Sequence, residues 1–363
     1  MVVWPGRKRY GPIGMDIGSR SVKLVQLSAD HSRLVEAARW DFPNPSAELS
    51  PEQHRVQLTE ALARVREGRR FRGRDVVLCL GRENLFLQNL RLPRQVGEDL
   101  NAVVEQESRQ RLPFPADEAE IRYLEAGEVR QSDSSLREVI VAACHRPALR
   151  RLLDTIEEAG LHPVSVDIEP AAIVRSYSLQ FNRDEDRDRR VMFVHVGYSN
   201  SVVVIAHGDH ILFVKYVESA GKQMDEAVAS RLRMEPTEAS ALRRHNGDRR
   251  RELQDPEVTR GIAQAIRPII ERLAHEISLC SRYHSVTFRG QPVCRMVLSG
   301  GEASQLLAES LQARLNIPCL MSEPLRRYAV DRRIQPLAQW DVAVGLAARE
   351  IGRTQPNRAK ANV

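Results

Sequence analysis

Residues 13–25 read Ile-Gly-Met-Asp-Ile-Gly-Ser-Arg-Ser-Val-Lys-Leu-Val and concentrate the residue types that bind phosphate. Ile13, Met15 and Ile17 alternate with Gly14 and Asp16, which is the period of two of a half-buried strand. Gly18 breaks the run, and Val22, Leu24 and Val25 resume it around Lys23. The pattern predicts a β-hairpin whose turn, Gly18-Ser19-Arg20-Ser21, offers a concave row of backbone N–H groups and two hydroxyls to phosphate oxygens. Asp16 ends the first strand, where it suits Mg²⁺ held through water, because Mg²⁺ dehydrates reluctantly and binds through few carboxylates. Lys23 then reaches phosphate as a point charge. The same letters also suit an ordinary surface hairpin with Asp and Lys as solvated punctuation, because the motif is short.

Two further stretches favour the phosphate reading. Residues 191–205 repeat the plan: an apolar strand, Gly197, the small polar turn Tyr198-Ser199-Asn200-Ser201, then a second apolar strand. Residues 296–302, Met-Val-Leu-Ser-Gly-Gly-Glu, end a strand in Gly300-Gly301 and lead into a helix expected to bury Leu306, Leu307, Leu311 and Leu315. A Gly-Gly turn entering a helix brings backbone close to a ligand near a positive helix end.

Two such hairpins half a chain apart, followed by the Gly-Gly turn, resemble the actin-like ATPase superfamily. Within it, Gly14 through Val25 resembles the opening of the type IV pilus assembly protein PilM family, relatives of the cell-division protein FtsA. The likeness spans residues 11–352 and includes Glu169-Pro170-Ala171-Ala172, Ser219 through Asp225 and Val342 through Ala347. It implies a mixed α/β fold: two actin-like, ribonuclease H-like halves around a nucleotide cleft, with a small αβ insertion subdomain. It also implies ATP with Mg²⁺ in that cleft. Asp16 would hold the metal shell, and Gly18, Ser19, Arg20, Ser21 and Lys23 would meet phosphates. Gly197, Tyr198, Ser199, Asn200 and Ser201 would meet them from the other side, with Gly221 and Lys222 nearby. Gly300, Gly301 and Glu302 would flank the adenosine. The implied role is a cytoplasmic scaffold, peripheral at the inner membrane, that docks the cytoplasmic tail of a PilN-like membrane protein. A homo-oligomer or ring and no nucleic acid are expected. A sugar-kinase-like phosphotransferase and an FtsA-like filament are the alternatives.

The chain departs from that pattern twice. His195-Val196-Gly197 stands where the family usually has Asp-Ile-Gly. An imidazole does not replace a carboxylate in a water-bridged Mg²⁺ shell, which wants hard anionic oxygen. His195 therefore either contacts phosphate when protonated or is a spectator, the metal site is doubtful, and ATP hydrolysis is expected to be weak or absent. After Pro236, relatives often carry a Glu-Lys pair for the nucleoside, and here Glu238 and Arg243 are the nearby residues.

The elements that must carry these residues follow from periodicity and breakers. A first half is expected over 11–81 and 166–182, an insertion over 82–165, and a second half over 190–352 with a helical part at about 218–293. Tails cover 1–10 and 353–363. Helices are expected at 52–67, with Val56 on the buried side, at 98–112, 171–181 and 260–283. A polar loop is expected at 130–136, and the charged run 182–190 reads as a solvated linker because its signs alternate. Length favours more than one domain, and 42% apolar residues support packed cores. The net charge of +6 comes almost wholly from Arg interspersed with acids. The five cysteines form no Cys-x-x-Cys pair, which argues against a zinc site or disulfide framework and fits a reducing compartment. No apolar run approaches the roughly 20 residues of a membrane helix.

Overall fold

The computed structural model describes residues 10–45, 49–93, 99–131, 134–178, 189–248, 255–288, 291–331, 334 and 336–349. The expected linker at 182–190 falls mostly outside these residues, as do both tails apart from Tyr10.

Three consecutive alternating runs give the antiparallel strands β1 (Tyr10–Ile17), β2 (Ser21–Ser28) and β3 (Leu34–Asp41). Helix α1 (Pro51–Arg64) follows, opened by a Ser50–Gln53 capping box. Strand β4 (Asp75–Leu80) then pairs parallel to β1. β5 (Phe86–Pro93), helix α2 (Leu100–Arg109), β6 (Ala119–Gln131) and β7 (Ser134–His145) come next. Helix α3 (Arg146–Glu158) leads to β8 (His162–Ile168), and helix α4 (Glu169–Ser178) starts where β8 stops. The second half repeats the plan with β9 (Arg190–Val196), β10 (Ser201–His207) and β11 (His210–Val217). Three helices follow: α5 (Gly221–Leu232), α6 (Pro236–Asp248) and the long α7 (Pro256–Thr287). β12 (Arg295–Ser299), α8 (Gln305–Leu315), β13 (Cys319–Met321) and α9 (Asp341–Ala347) finish the chain.

The two main sheets have matching orders, β3-β2-β1-β4-β8 and β11-β10-β9-β12-β13. In each, three antiparallel strands are followed by two parallel ones, the duplicated topology of an actin-like fold. A separate three-stranded sheet, β5-β7-β6, lies within the expected 82–165 segment, whereas β8 joins the first main sheet beside β4. Ile156 of α3 is fully buried in the same core as Ile13, Met15 and Leu78.

The two halves meet through α4 and α9, whose apolar faces share one core with β4 and β9. The backbones touch there. A Cβ at Gly345 would lie 1.9 Å from the Ala172 carbonyl oxygen, and one at Gly14 would lie 2.1 Å from that of Ala343. Only glycine permits this approach. The three-stranded sheet also leans on the second half, where the Asn89 side-chain amide donates to the Val214 carbonyl of edge strand β11 at 2.8 Å.

Several local expectations change. β6 and β7 extend to Gln131 and Ser134, so most of the expected loop at 130–136 is strand, with 132–133 outside the described residues. Cross-strand pairing carries polar residues that periodicity alone leaves in a loop. Val56 is 56% exposed, and α1 buries Ala61 and Leu62 instead. Leu306 is 40% exposed, because α8 turns Leu307, Ala308 and Leu311 inward. α7 runs from Pro256 to Thr287, longer than its apolar stripe suggests, with Asp255 capping its first amides.

Candidate functional site

The first hairpin places Asp16 directly across from Lys23. Both side chains are buried, and Lys23 Nζ donates to Asp16 Oδ2 at 2.7 Å. The turn closes by Gly18 N–H donating to the Ser21 carbonyl at 3.0 Å, which leaves Ser19 exposed at its tip.

The second hairpin closes in the same way, with Gly197 N–H donating to the Asn200 carbonyl at 3.1 Å. A Cβ on Gly197 would stand 2.8 Å from that carbonyl oxygen. The first two amides of α5 dock on this turn: Gly221 N–H donates to the Gly197 carbonyl and Lys222 N–H to that of Tyr198. His195 occupies the position of Asp16, but Val202 lies across from it. Its partners come from elsewhere. Nδ1 is 2.7 Å from Asp341 Oδ2, at the start of α9, and Nε2 is 3.6 Å from Glu169 Oε1, at the start of α4. Nδ1 is within hydrogen-bond distance of Asp341, whereas Nε2 faces Glu169 at an ion-pair separation. Burial pulls the imidazolium pKa down, but Asp341, Glu169 and Asp16 outweigh it and leave the pKa raised to about 9. Burial raises the Asp341 pKa, and the His195 charge overcomes this to leave it below the ordinary value. Glu169 moves the other way: burial raises it, His195 offsets part, and Tyr216 donates to its Oε2 at 3.0 Å.

Arg20 leaves its own hairpin and crosses to the second half. Its Nη2 donates to Asp225 Oδ2 at 2.6 Å and its Nη1 to Ser240 Oγ at 2.7 Å. The guanidinium stacks 4.0 Å from the Tyr198 ring centroid. Its Nε lies 3.2 Å from Glu302 Oε1 but out of hydrogen-bond line, so this buried N–H is unsatisfied. Arg243 completes the network, donating to Asp225 Oδ1 at 2.7 Å and to Glu302 Oε2 at 2.6 Å. Two arginines thus share two carboxylates between the halves. Gly300 adopts φ +101°, and a Cβ there would meet the Val196 carbonyl oxygen at 2.3 Å. Gly301 has open space around it.

Comparison with known proteins fixes the family. A family model for the type IV pilus assembly protein PilM matches residues 14–351. The chain belongs to that family. Among solved structures it is similar to a chain of a PilM-PilN type IV pilus biogenesis complex, at 24% identity and a TM-score of 0.74. That match covers 93% of this chain and 98% of the other. It is also similar to the ethanolamine utilization protein EutJ from Carboxydothermus hydrogenoformans, at 14% identity and a TM-score of 0.54, over 95% of this chain and 92% of that one. At these identities the likeness is one of fold. No described helix is long and apolar enough to cross a membrane.

In this PilM family member, Arg20 reaches Tyr198 and Glu302, and the Asp16–Lys23 pair lies close enough to His195 to act on its charge. Ser21 and Ser201 are buried at the hairpin turns, and Ser201 Oγ donates to the Ser219 carbonyl at 2.7 Å. Lys222 is half-buried beside the second turn, whereas Glu238 is exposed in the first turn of α6. Four residues of the site went unrecognised in the sequence: Asp225, Ser240, Glu169 and Asp341. A signal existed for two of them. Glu169 sits at a strand-to-helix junction, and Asp341 opens an otherwise apolar helix. Among the described residues no group of three or more His, Cys, Asp or Glu is arranged to hold a metal ion.

Proposed function

We propose that this PilM family member is a type IV pilus assembly scaffold that docks the cytoplasmic tail of a PilN-like inner-membrane protein and binds nucleotide in its cleft. The observation that carries the docking is a groove of about 1130 Å³ between the three-stranded sheet and the first main sheet. β6 and β8, the edge strands of those two sheets, both line it. Its floor is apolar, with Leu85, Leu124, Ala143, Leu149 and Val166, and Arg150 and Glu157 of α3 are exposed along its rim. An extended segment gains main-chain hydrogen bonds from a free strand edge and specificity from alternate side chains. This dimension and polarity suit a short peptide better than a globular partner. The solved complex of a similar PilM with PilN supports the choice of occupant. The role puts the protein at the cytoplasmic face of the inner membrane.

The cleft fits nucleotide phosphates through cations and small turns. Lys222 and Ser19 are accessible, Arg20 is half-buried between the two turns, and Gly301 leaves room for close approach. The donors do not fit a metal at the second hairpin. His195 there is an imidazolium bracketed by carboxylates, and Asp16 is already neutralised by Lys23. We infer that no Mg²⁺ shell forms there, so that nucleotide binding depends little on Mg²⁺ and turnover stays near background. The reading also sets the docking unit as the sheet at 86–145 resting on a first half that includes α3 and β8.

The test is fluorescence anisotropy of the candidate tail peptide on the unmodified protein and on Leu149→Asp and Arg150→Glu. Loss of about tenfold or more in both variants, with unchanged melting temperature, is expected. Unchanged binding in both would remove the groove from the function.

A further inference from the structure

The loop between α1 and β4 carries Arg69, Arg70, Arg72 and Arg74 within six residues, all exposed. None of the four forms a side-chain ion pair with a described residue. Such a loop would ordinarily relax to spread its charges, yet here it is fastened by two buried polar side chains of the first sheet. Gln26, fully buried on β2, accepts from Arg72 N–H at 2.8 Å and donates to the Arg72 carbonyl at 2.7 Å. Glu36, buried on β3, accepts from Arg70 N–H at 3.0 Å. Phe71 packs against the first-half core between them. Two buried polar groups thus hold backbone so that the arginine side chains point away from the core. Arg66 is drawn into the same end, donating to the Ala159 carbonyl at 2.6 Å. Burial and then the Arg74 charge push its guanidinium below the ordinary pKa. The acids nearby are engaged: Asp75 by His162 at 3.1 Å, Glu67 by Arg64 at 3.3 Å, and Asp30 by the Ser28 and Ser32 hydroxyls.

We propose that this arginine loop is a docking face for a membrane surface bearing anionic lipid headgroups. Three observations choose lipid over other polyanions. Gln26 also donates to the Gly11 carbonyl at 2.9 Å, which sets Gly11, one residue after the first described one, beside the loop, and in sequence residues 1–9 precede it. That stretch contains Arg7, Lys8 and Arg9 together with Val2, Val3 and Trp4. Basic residues mixed with Trp and aliphatics suit the lipid interface, where charge meets headgroups and the aromatic ring sits at their level. The groove wall α3 ends at the same place, since Arg66 binds the Ala159 carbonyl and His162 N–H donates to the Arg74 carbonyl at 2.8 Å. A partner tail lying in the groove and anchored in a bilayer therefore brings the arginines to that bilayer. This last point rests on the docking reading above. The first two do not.

The experiment is co-sedimentation of the full chain with vesicles of phosphatidylcholine alone and with about 30% phosphatidylglycerol, over a salt series. It compares the unmodified protein, Arg69/Arg70/Arg72/Arg74→Gln and the charge-preserving Arg→Lys set. Partitioning is expected only with the anionic vesicles, to weaken with salt, to fall about tenfold or more in the Gln set and to survive in the Lys set. Equal partitioning to both vesicle types, or a Gln set that partitions like the unmodified protein, overturns the proposal. So does binding to duplex DNA that is tighter than to anionic vesicles at the same salt, which reassigns the face to nucleic acid. Tail-peptide anisotropy on the Gln set separates the two readings. Retained peptide binding in the Gln set with lost vesicle binding leaves both standing, whereas an unmodified protein that binds anionic vesicles but no tail peptide keeps this one and removes the other.

Discussion

In the first hairpin, Asp16 finds its counter-ion seven residues later, directly across the strand pair at Lys23. In the second, His195 meets Val202 at that position and takes its counter-ion from Asp341, 146 residues away, with Glu169 on its other face. Both turns close by the same glycine N–H bond to the third residue on. The duplicated fold therefore keeps the turn geometry in both halves while the charge is balanced locally in one and by two helix starts in the other. Charge at the second hairpin is tied to the packing of α4 and α9, the layer that joins the halves. Charge at the first is paired within its own strands.

The largest expected effect follows from that difference. Asp341→Ala leaves a buried imidazolium facing a single carboxylate at 3.6 Å. Removing one partner of a buried pair costs about 3–5 kcal/mol. Urea denaturation of the variant should show that loss, and His195→Gln/Asp341→Asn together should recover much of it, because neither member of the pair is then left without the other. A double variant as unstable as Asp341→Ala would show that Asp341 matters through packing alone.

Stability should also carry a pH signature that only the second hairpin produces. The His195 pKa is raised in the fold to about 9 from 6.5. The unfolded chain therefore loses this proton first as pH rises. The stabilisation is complete below pH 6.5, declines above it and is gone once pH passes about 9. A shift of that size corresponds to about 3 kcal/mol. Melting temperature measured across this window should fall more in the unmodified protein than in His195→Gln. Parallel curves would contradict the imidazolium.

Arg20 links the two hairpins, since it starts on the first turn and stacks on Tyr198 of the second. Arg20→Gln removes a charged donor from the cleft, which is expected to weaken nucleotide binding by about 10- to 150-fold, or 1.5–3 kcal/mol. Glu238→Gln, exposed on α6, should change stability and nucleotide affinity by less than about 0.5 kcal/mol. Both are read by titration with a fluorescent nucleotide. A large Glu238 effect would extend the site beyond the network seen here.

The same contrast explains what the sequence shows and what it hides. The Asp16–Lys23 pair is legible because strand periodicity sets its register over a few residues. The doubled hairpins and the Gly-Gly turn are legible for the same local reason, and with them the actin-like fold. The partners of His195 and Arg20 are not, since Asp341, Glu169, Asp225 and Ser240 reach the cleft only through tertiary packing. β8 shows the limit for domain edges. Its alternation predicts a strand correctly, but only pairing with β4 reveals which sheet it serves. Val56 and Leu306 sit on helices whose buried faces are narrower than their apolar content.

The claim that His195 leaves the second hairpin without a Mg²⁺ site is tested most directly by nucleotide affinity with Mg²⁺ and with chelator, on the unmodified protein and His195→Asp. The account predicts that the unmodified protein changes by less than about threefold, while His195→Asp gains about tenfold or more from Mg²⁺. An unmodified protein that binds at least about tenfold tighter with Mg²⁺, and turns ATP over steadily, would contradict it.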